Sequence, residues 1–195
     1  MRYEFNDFWV ENNQVYIKEH VKKAKPITGT KIGAITSNNP WSSPFVVFMD
    51  MYRFTIPFEM TIQVKKGMEY EPYVIEGVNK LSETEFQDYS TSPYYDWDVN
   101  SEQGSKYNGK IDGWDKERKI ILECKVTSNK NLLKWTKNQP PKYYLLQMLL
   151  YAKLAEANEV WLSGYFLNPE DYELPTKKEI NRSQLRIWKY KFDGE

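Results

Sequence analysis

Two residue types that build many catalytic and structural centres are nearly missing from this 195-residue chain, which holds one cysteine, Cys124, and one histidine, His20. A lone cysteine forms no intrachain disulfide, and one Cys with one His cannot make a zinc or iron–sulfur site. That usage predicts a reducing, cytoplasmic compartment. No apolar run approaches the roughly 20 residues of a membrane span, so no membrane partner is expected. Met1 to Val10 lack the basic-then-apolar order of a secretory signal. Neither charge is in excess, with 27 Lys and Arg against 27 Asp and Glu, so the chain is not the uniformly basic type that holds nucleic acid by bulk electrostatics. Internal repeats and low-complexity linkers are also missing. What is abundant is aromatic: 7 Trp and 15 Tyr within a hydrophobic share of 41%, enough to bury a core. The length suits one domain spanning 1–195 and is short for two.

The balanced charge hides a segregation. Lys18, Lys22, Lys23, Lys25 and Lys31 crowd the start, and Lys130, Lys134, Lys137 and Lys142 a later stretch. Glu83, Glu85, Asp88, Asp96, Asp98 and Glu102 fill the middle. Taken alone, such runs are solvated faces.

Residues 1 to 20 alternate loosely and fit either a strand pair or a helix. Thr30 reads as the N-cap of a short helix over Lys31 to Ile35. Ser43 reads as the N-cap of a second, with Pro44 at its first position and apolar residues at Phe45, Phe48, Met49 and Tyr52. A third helix is predicted over Gly67 to Leu81, with Pro72 tolerable only in its first turn. Residues 82 to 109 read as strands and loops. Lys110 to Trp114 and Lys119 to Thr127 predict a hairpin about the turn Asp115 to Arg118. Pro140-Pro141 opens a helix to about Ala157 that is apolar on most sides and therefore buried. Strands follow over Glu159 to Leu167 and Ser183 to Phe192. The order predicts a mixed α/β layer fold.

Strand alternation separates the residues of Ile120 to Val126 into two sets. Ile120, Leu122, Cys124 and Val126 make an apolar face, and Glu123 and Lys125 share the other. A buried carboxylate and amine are costly unless they serve each other or a ligand, although E-x-K alone reads equally as the exposed face of an edge strand. Asp112 lies on the preceding strand of the hairpin, where pairing can bring it beside Glu123. Two such carboxylates suit a hard cation near a backbone carbonyl, while Asp112-Gly113 alone also reads as a turn. On the third helix Met68, Glu71, Ile75 and Val78 form one stripe, which places the Glu71 carboxylate among core positions. Gln147 and Tyr151, four apart on the apolar helix, need polar partners if buried.

In this order the elements resemble the PD-(D/E)XK nucleases, and within them the branch of YqaJ-type viral recombinases and bacteriophage lambda exonuclease. The resemblance covers about residues 25 to 167. It rests on Ile27 to Ile35 with Pro40 to Phe45, on Lys66-Gly67-Met68-Glu69-Tyr70-Glu71-Pro72, on Ile111-Asp112-Gly113, on Glu123-Cys124-Lys125 and on Gln147 to Tyr151. Three departures stand out: Ile111 where the family has proline, Lys66 where arginine is frequent, and Val126-Thr127 where proline often follows E-x-K.

The resemblance implies a restriction-endonuclease-like core, a central mixed β-sheet flanked by helices. It implies a metal-dependent deoxyribonuclease, an exonuclease on double-stranded DNA before a restriction- or repair-type endonuclease or an inactive DNA-binding module. Asp112, Glu123 and the carbonyl of Cys124 would hold Mg²⁺ or Mn²⁺, with Glu71 assisting. Lys125 would orient or deprotonate the attacking water, and Gln147 and Tyr151 would position water or phosphate. Thr30 with Lys25 or Lys31 would hold a DNA phosphate at a helix N-terminus, Lys66 in the family's segment would contact DNA, and Lys130, Lys134 and Lys137 would contact DNA from a basic, aromatic loop. A single-strand annealing partner and a homotrimer are implied by the resemblance alone.

Overall fold

Alternation, caps and tight turns set the order of elements in the computed structural model, which describes residues 2–19, 24–55, 59–89, 95–96 and 106–192. His20, Lys22, Lys23, Asp98 and Glu102 lie outside the described residues. The ambiguous start is an antiparallel sheet of β1 (Arg2–Glu4), β2 (Phe8–Glu11) and β3 (Gln14–Ile17). Asn12 and Asn13, at φ 52° and 60°, make its two-residue turn, the left-handed pair that a tight hairpin demands and asparagine tolerates.

Three helices follow. The first, α1 (Gly29–Ile35), begins earlier than the sequence suggests: Thr28 takes the N-cap position and Thr30 falls inside the helix, with the two hydroxyl oxygens 3.0 Å apart. The second, α2 (Pro44–Met51), has the expected cap, the Ser43 hydroxyl accepting from the Val46 amide at 3.3 Å. The third, α3 (Ile62–Ser82), starts a turn and a half before the expected Gly67, capped by Thr61. Pro72 is therefore an interior residue. Its missing N–H leaves the Met68 carbonyl without a helical partner, and Met68 is on the solvent side, where water can take that bond. Met68 thus drops out of the expected core stripe. The buried face is Tyr70, Val74, Ile75 and Val78.

Short strands β4 (Gln87–Asp88), β5 (Tyr95–Asp96), β6 (Asn108–Gly109) and β7 (Gly113–Asp115) precede the long β8 (Ile120–Ser128). Next come α4 (Leu132–Asn138), α5 (Lys142–Ala155), β9 (Glu159–Leu167) and β10 (Leu185–Lys191). The main sheet runs β10-β9-β8-β7-β4. Its β8–β9 pair is parallel and the others antiparallel, a pairing made possible by the crossover through α4 and α5. The architecture is the α/β one expected, a mixed central sheet flanked by helices.

Alternation along β8 and β9 feeds two cores. Ile120, Leu122, Cys124, Trp161 and Tyr165 pack under α3, while Ile121, Val160 and Leu162 pack under Met148 and Ala152 of α5. Each Ile, Leu, Val or Met among them, fully buried, contributes about 1.5–3 kcal/mol. The second face is the one that carries Glu123 and Lys125. Among the described residues no helix is long and apolar enough to cross a membrane.

Helix α1 lies against α5 through glycine. A Cβ built on Gly29 would stand 2.6 Å from the Tyr151 ring and 2.7 Å from Gln147 Cγ, and one on Gly33 would stand 2.5 Å from Tyr143 Cβ. The spacing of four on α1 thus meets the spacing of four on Tyr143, Gln147 and Tyr151. Gly33→Ala would press on backbone-proximal atoms that cannot swing away, and overpacking of this kind costs about 1–3 kcal/mol. The expected outcome is a thermal midpoint several degrees lower; an unchanged midpoint would refute this close approach.

Candidate active site

The centre of the site is the open end of β7. Register pairs Gly113 with Leu122, so the next step outward sets Asp112 opposite Glu123. There the ladder stops and the Asp112 carboxylate replaces it, accepting from the Cys124 amide at 2.7 Å. A strand residue turns its N–H and C=O the same way, so the Cys124 carbonyl faces this unpaired edge too. The Cys124 thiol is on the other face, beside Ser163 Oγ at 3.2 Å, and burial pushes its pKa well above the usual range.

Glu123 is 1% exposed. Its Oε1 accepts from Lys125 Nζ and from Gln147 Nε2, the latter at 2.6 Å. Its Oε2 is buried and has no hydrogen-bond partner among the described residues. Burial, and then the charge of Asp112, push the Glu123 pKa up to about 7 despite Lys125 and Gln147. Glu71 reaches the same place from α3. Burial first, and Asp112 as its strongest charged neighbour, raise its pKa to about 8. Asp112 is raised as well, again chiefly by burial. Burial works against the Lys125 ammonium, but the Glu123 and Asp112 charges outweigh it and hold its pKa above the ordinary lysine range. Lys125 Nζ also stands 5.3 Å from the centre of the Tyr144 ring, within cation–π range.

Three carboxyl groups crowding one partly buried place, with one oxygen orphaned, are an electrostatic cavity for a cation. Among the described residues no three His, Cys, Asp or Glu side chains enclose a metal on their own. A Mg²⁺ ion does not require such a cage, since it keeps several waters and takes one or two carboxylates. The donors present are all hard oxygens and therefore fit Mg²⁺ or Mn²⁺.

Of the residues singled out from sequence, Glu71, Asp112, Glu123, Lys125 and Gln147 come together here. Tyr151 is at the rim, its ring wedged between Gly29 and Gly109 and 2% exposed, with burial raising its pKa. Tyr144 was not singled out, though it precedes Gln147 by three and so shares its helix face.

The basic candidates divide. Lys66 is buried, donating to the Leu174 carbonyl at 2.7 Å and to Thr176 at 3.1 Å and pairing with Glu69, so it ties down the 174–176 segment and is not placed to meet DNA. Lys25 and Lys31 both pair with Asp50, at 3.0 and 3.2 Å, while Thr30 is exposed. Lys130, Lys134 and Lys137 are exposed, but on a 3₁₀ turn (Asn129–Asn131) and on α4 instead of a loop. Trp135 among them is 3% exposed and packs on Phe166, Trp188 and Tyr144. Lys134 and Lys137, one residue before it and two after, fall on other faces of α4, so a basic, aromatic composition conceals one buried helix face.

The five-stranded mixed sheet with its flanking helices is a known architecture. Two solved structures share it: a phage related exonuclease from Haemophilus somnus 129PT (TM-score 0.60, 13% identity, 87% of this chain and 86% of that one) and the alkaline exonuclease LHK-Exo from Laribacter hongkongensis (TM-score 0.62, 14% identity, 90% and 83%). LHK-Exo also matches in its complex with dAMP, at TM-score 0.61 and 14% identity over 86% of this chain and 78% of that one. No curated protein matches the sequence. Residues 18–158 match the YqaJ-like viral recombinase domain; the chain belongs to that family.

Proposed function

We propose that the protein is a divalent-metal-dependent deoxyribonuclease that digests double-stranded DNA from its ends. The observation that carries the reading is the buried, unpartnered Glu123 Oε2 beside Asp112, with Lys125 held on the same carboxylate. An orphaned buried carboxylate oxygen costs free energy unless something fills the place. Family membership and the exonuclease fold support the choice of phosphodiester chemistry.

Asp112, Glu123 and the Cys124 carbonyl would hold Mg²⁺ or Mn²⁺, with Glu71 anchoring a second ion or its waters. When bound, the ion lowers the pKa of the attacking water and offsets charge at the phosphate. Lys125, an ammonium in this arrangement, donates to the developing negative charge on the phosphate oxygens. Gln147 fixes Glu123 through its amide and leaves the Glu123 carboxylate one defined orientation. Tyr151 braces α1 and β6 around the site. Exposed Lys130, Lys134 and Lys137 provide sequence-independent phosphate contacts, and Thr30 with the Asp50-bound Lys25 and Lys31 provides another. A soluble, cytoplasmic enzyme acting with a single-strand annealing protein, as a homo-oligomer, is the setting this reading carries.

The test is digestion of linear and closed-circular duplex DNA with Mg²⁺, beside EDTA and Lys125→Ala. Loss of linear DNA alone, abolished by both controls, is the expected result. Cutting of circles would move the protein to the endonucleases. Cleavage that survives EDTA and Lys125→Ala, or no cleavage with either metal, would overturn the assignment.

A further inference from the structure

Helix α5 meets the catalytic face of β8 along one stripe. Tyr144, Gln147 and Tyr151 are spaced three and four apart and share a helix face. Gln147 donates to Glu123 Oε1 at 2.6 Å. Two residues along a strand advance about 6.6 Å, and three along a helix about 4.5 Å. The stripe that sets Gln147 on Glu123 therefore also brings Tyr144 to Lys125, whose Nζ is 5.3 Å from the ring centre. The strand offers a carboxylate and an ammonium, and the helix answers with an amide and a π face.

The Tyr144 ring is itself held in place. It is tilted against buried Trp135 with centroids 5.5 Å apart, and it stands edge to face with Tyr143 at 4.4 Å. Its hydroxyl is hydrogen-bonded to Tyr143, so the polar end is occupied and the ring face is what meets the ammonium. Lys125 is less constrained. Its Nζ donates to Glu123 Oε1, but the amine ends a flexible four-carbon stem. A second carboxylate could fix it only by taking another of its three donors. An aromatic face attracts the charge through the ring quadrupole and takes no donor. The attraction is also stronger in a partly buried place such as this one than on an open surface.

We propose that Tyr144 is a positioning residue for Lys125: its ring face restrains the ammonium beside Glu123 Oε1 and leaves the other N–H donors for the reacting phosphate. The role given to Lys125 rests on the nuclease reading; the restraint on its ammonium does not.

Two measurements test this. The first needs no cleavage. In denaturant titrations in EDTA, Tyr144→Leu is expected to lower the folding equilibrium constant roughly tenfold more in the wild-type background than in a Lys125→Met background, the size of one desolvated cation–π contact. The second is kinetic. Tyr144→Phe is expected to keep kcat within about twofold of wild type, because the ring face remains. Mono-, di- and trifluorinated phenylalanines at the same position keep the shape and weaken the quadrupole stepwise. They are expected to lower kcat stepwise, to roughly a tenth of the Tyr144→Phe value, with KM and thermal midpoint unchanged. Mere packing would give no such gradient. Additive losses in the titrations, a level fluorine series, or a loss in Tyr144→Phe equal to that in Tyr144→Leu would overturn the proposal. The titrations are decided without DNA, so they stand apart from the nuclease reading, whose own failure is the absence of cleavage by the wild-type protein.

Discussion

Glu123→Gln is expected to lower the rate of DNA hydrolysis by roughly 10³-fold or more while leaving the fold at least as stable as the wild type. The substitution keeps the shape of the side chain and one carbonyl oxygen that can still accept from Lys125 and Gln147, which now donate to Oε1. It removes the charge from a group that is 1% exposed and whose second oxygen has no partner among the described residues. Burying that charge is a cost the fold bears, so neutralising it relieves the protein, most of all above the raised pKa of about 7. Activity moves the other way. A single group that acts only in the transition state is worth roughly 10²–10³-fold, and a carboxylate that also positions the cation carries more than that. Glu123→Ala separates the two roles differently: it strands Lys125 and Gln147, and breaking a buried pair in this way costs about 3–5 kcal/mol. Initial rates on linear duplex DNA and thermal midpoints at pH 6 and pH 9 check both. A Glu123→Gln protein within tenfold of wild-type activity, or one markedly less stable at pH 9, would refute the role assigned here.

The parts of this site that sequence makes legible are those where side-chain direction follows from backbone periodicity. Alternation alone puts Glu123 and Lys125 on the face opposite Leu122 and Cys124, and the structure seats them there. The hairpin turn fixes the register, and the register places Asp112. Helical phase is harder to read, because hydropathy weighs Met68 and Lys66 by composition. Met68 is exposed, and Lys66 is buried because its amine finds the Leu174 carbonyl more than a hundred residues away, a partner no local pattern contains. Pro72 misplaces the start of α3 because proline is read as a first-turn residue, whereas here it stands inside the helix, one turn after the exposed Met68. The α1–α5 contact was legible in principle from Gly29 and Gly33 at a spacing of four, since paired glycines on one helix face allow close approach.

In EDTA the thermal midpoint is expected to fall as pH rises from about 5.5 to 9, and Mg²⁺ is expected to raise it by more at pH 9 than at pH 6. Glu71 and Glu123 have folded pKa values of about 8 and about 7 against an ordinary value of 4.5. Between those limits the folded protein binds more protons than the unfolded chain, so stability declines as pH increases. The decline is complete once pH passes the folded values, where both carboxylates are charged beside Asp112. Carboxylates whose pKa values lie below the ordinary range act in a different window. Asp50 is lowered against its burial by bonds from Lys25 and Lys31, and Asp171 against its burial by its bonds to Asn168, Gln184 and Lys177. Their contribution is lost only as pH falls below the usual carboxylate range. Each kcal/mol moves the midpoint of a chain this size by about 2–4 °C, so shifts of several pKa units produce a slope well above scatter. A cation in the site stabilises only the charged form of these groups, and its stabilisation follows the mass-action logarithm of its affinity. The increment from Mg²⁺ must therefore grow as the carboxyl groups ionise. The double variant Glu71→Gln/Glu123→Gln should flatten the EDTA profile and erase the pH-dependent part of the Mg²⁺ effect. A midpoint in EDTA that is level or rises over this range, or a Mg²⁺ increment equal at pH 6 and pH 9, would mean that these carboxylates neither titrate late nor meet the cation.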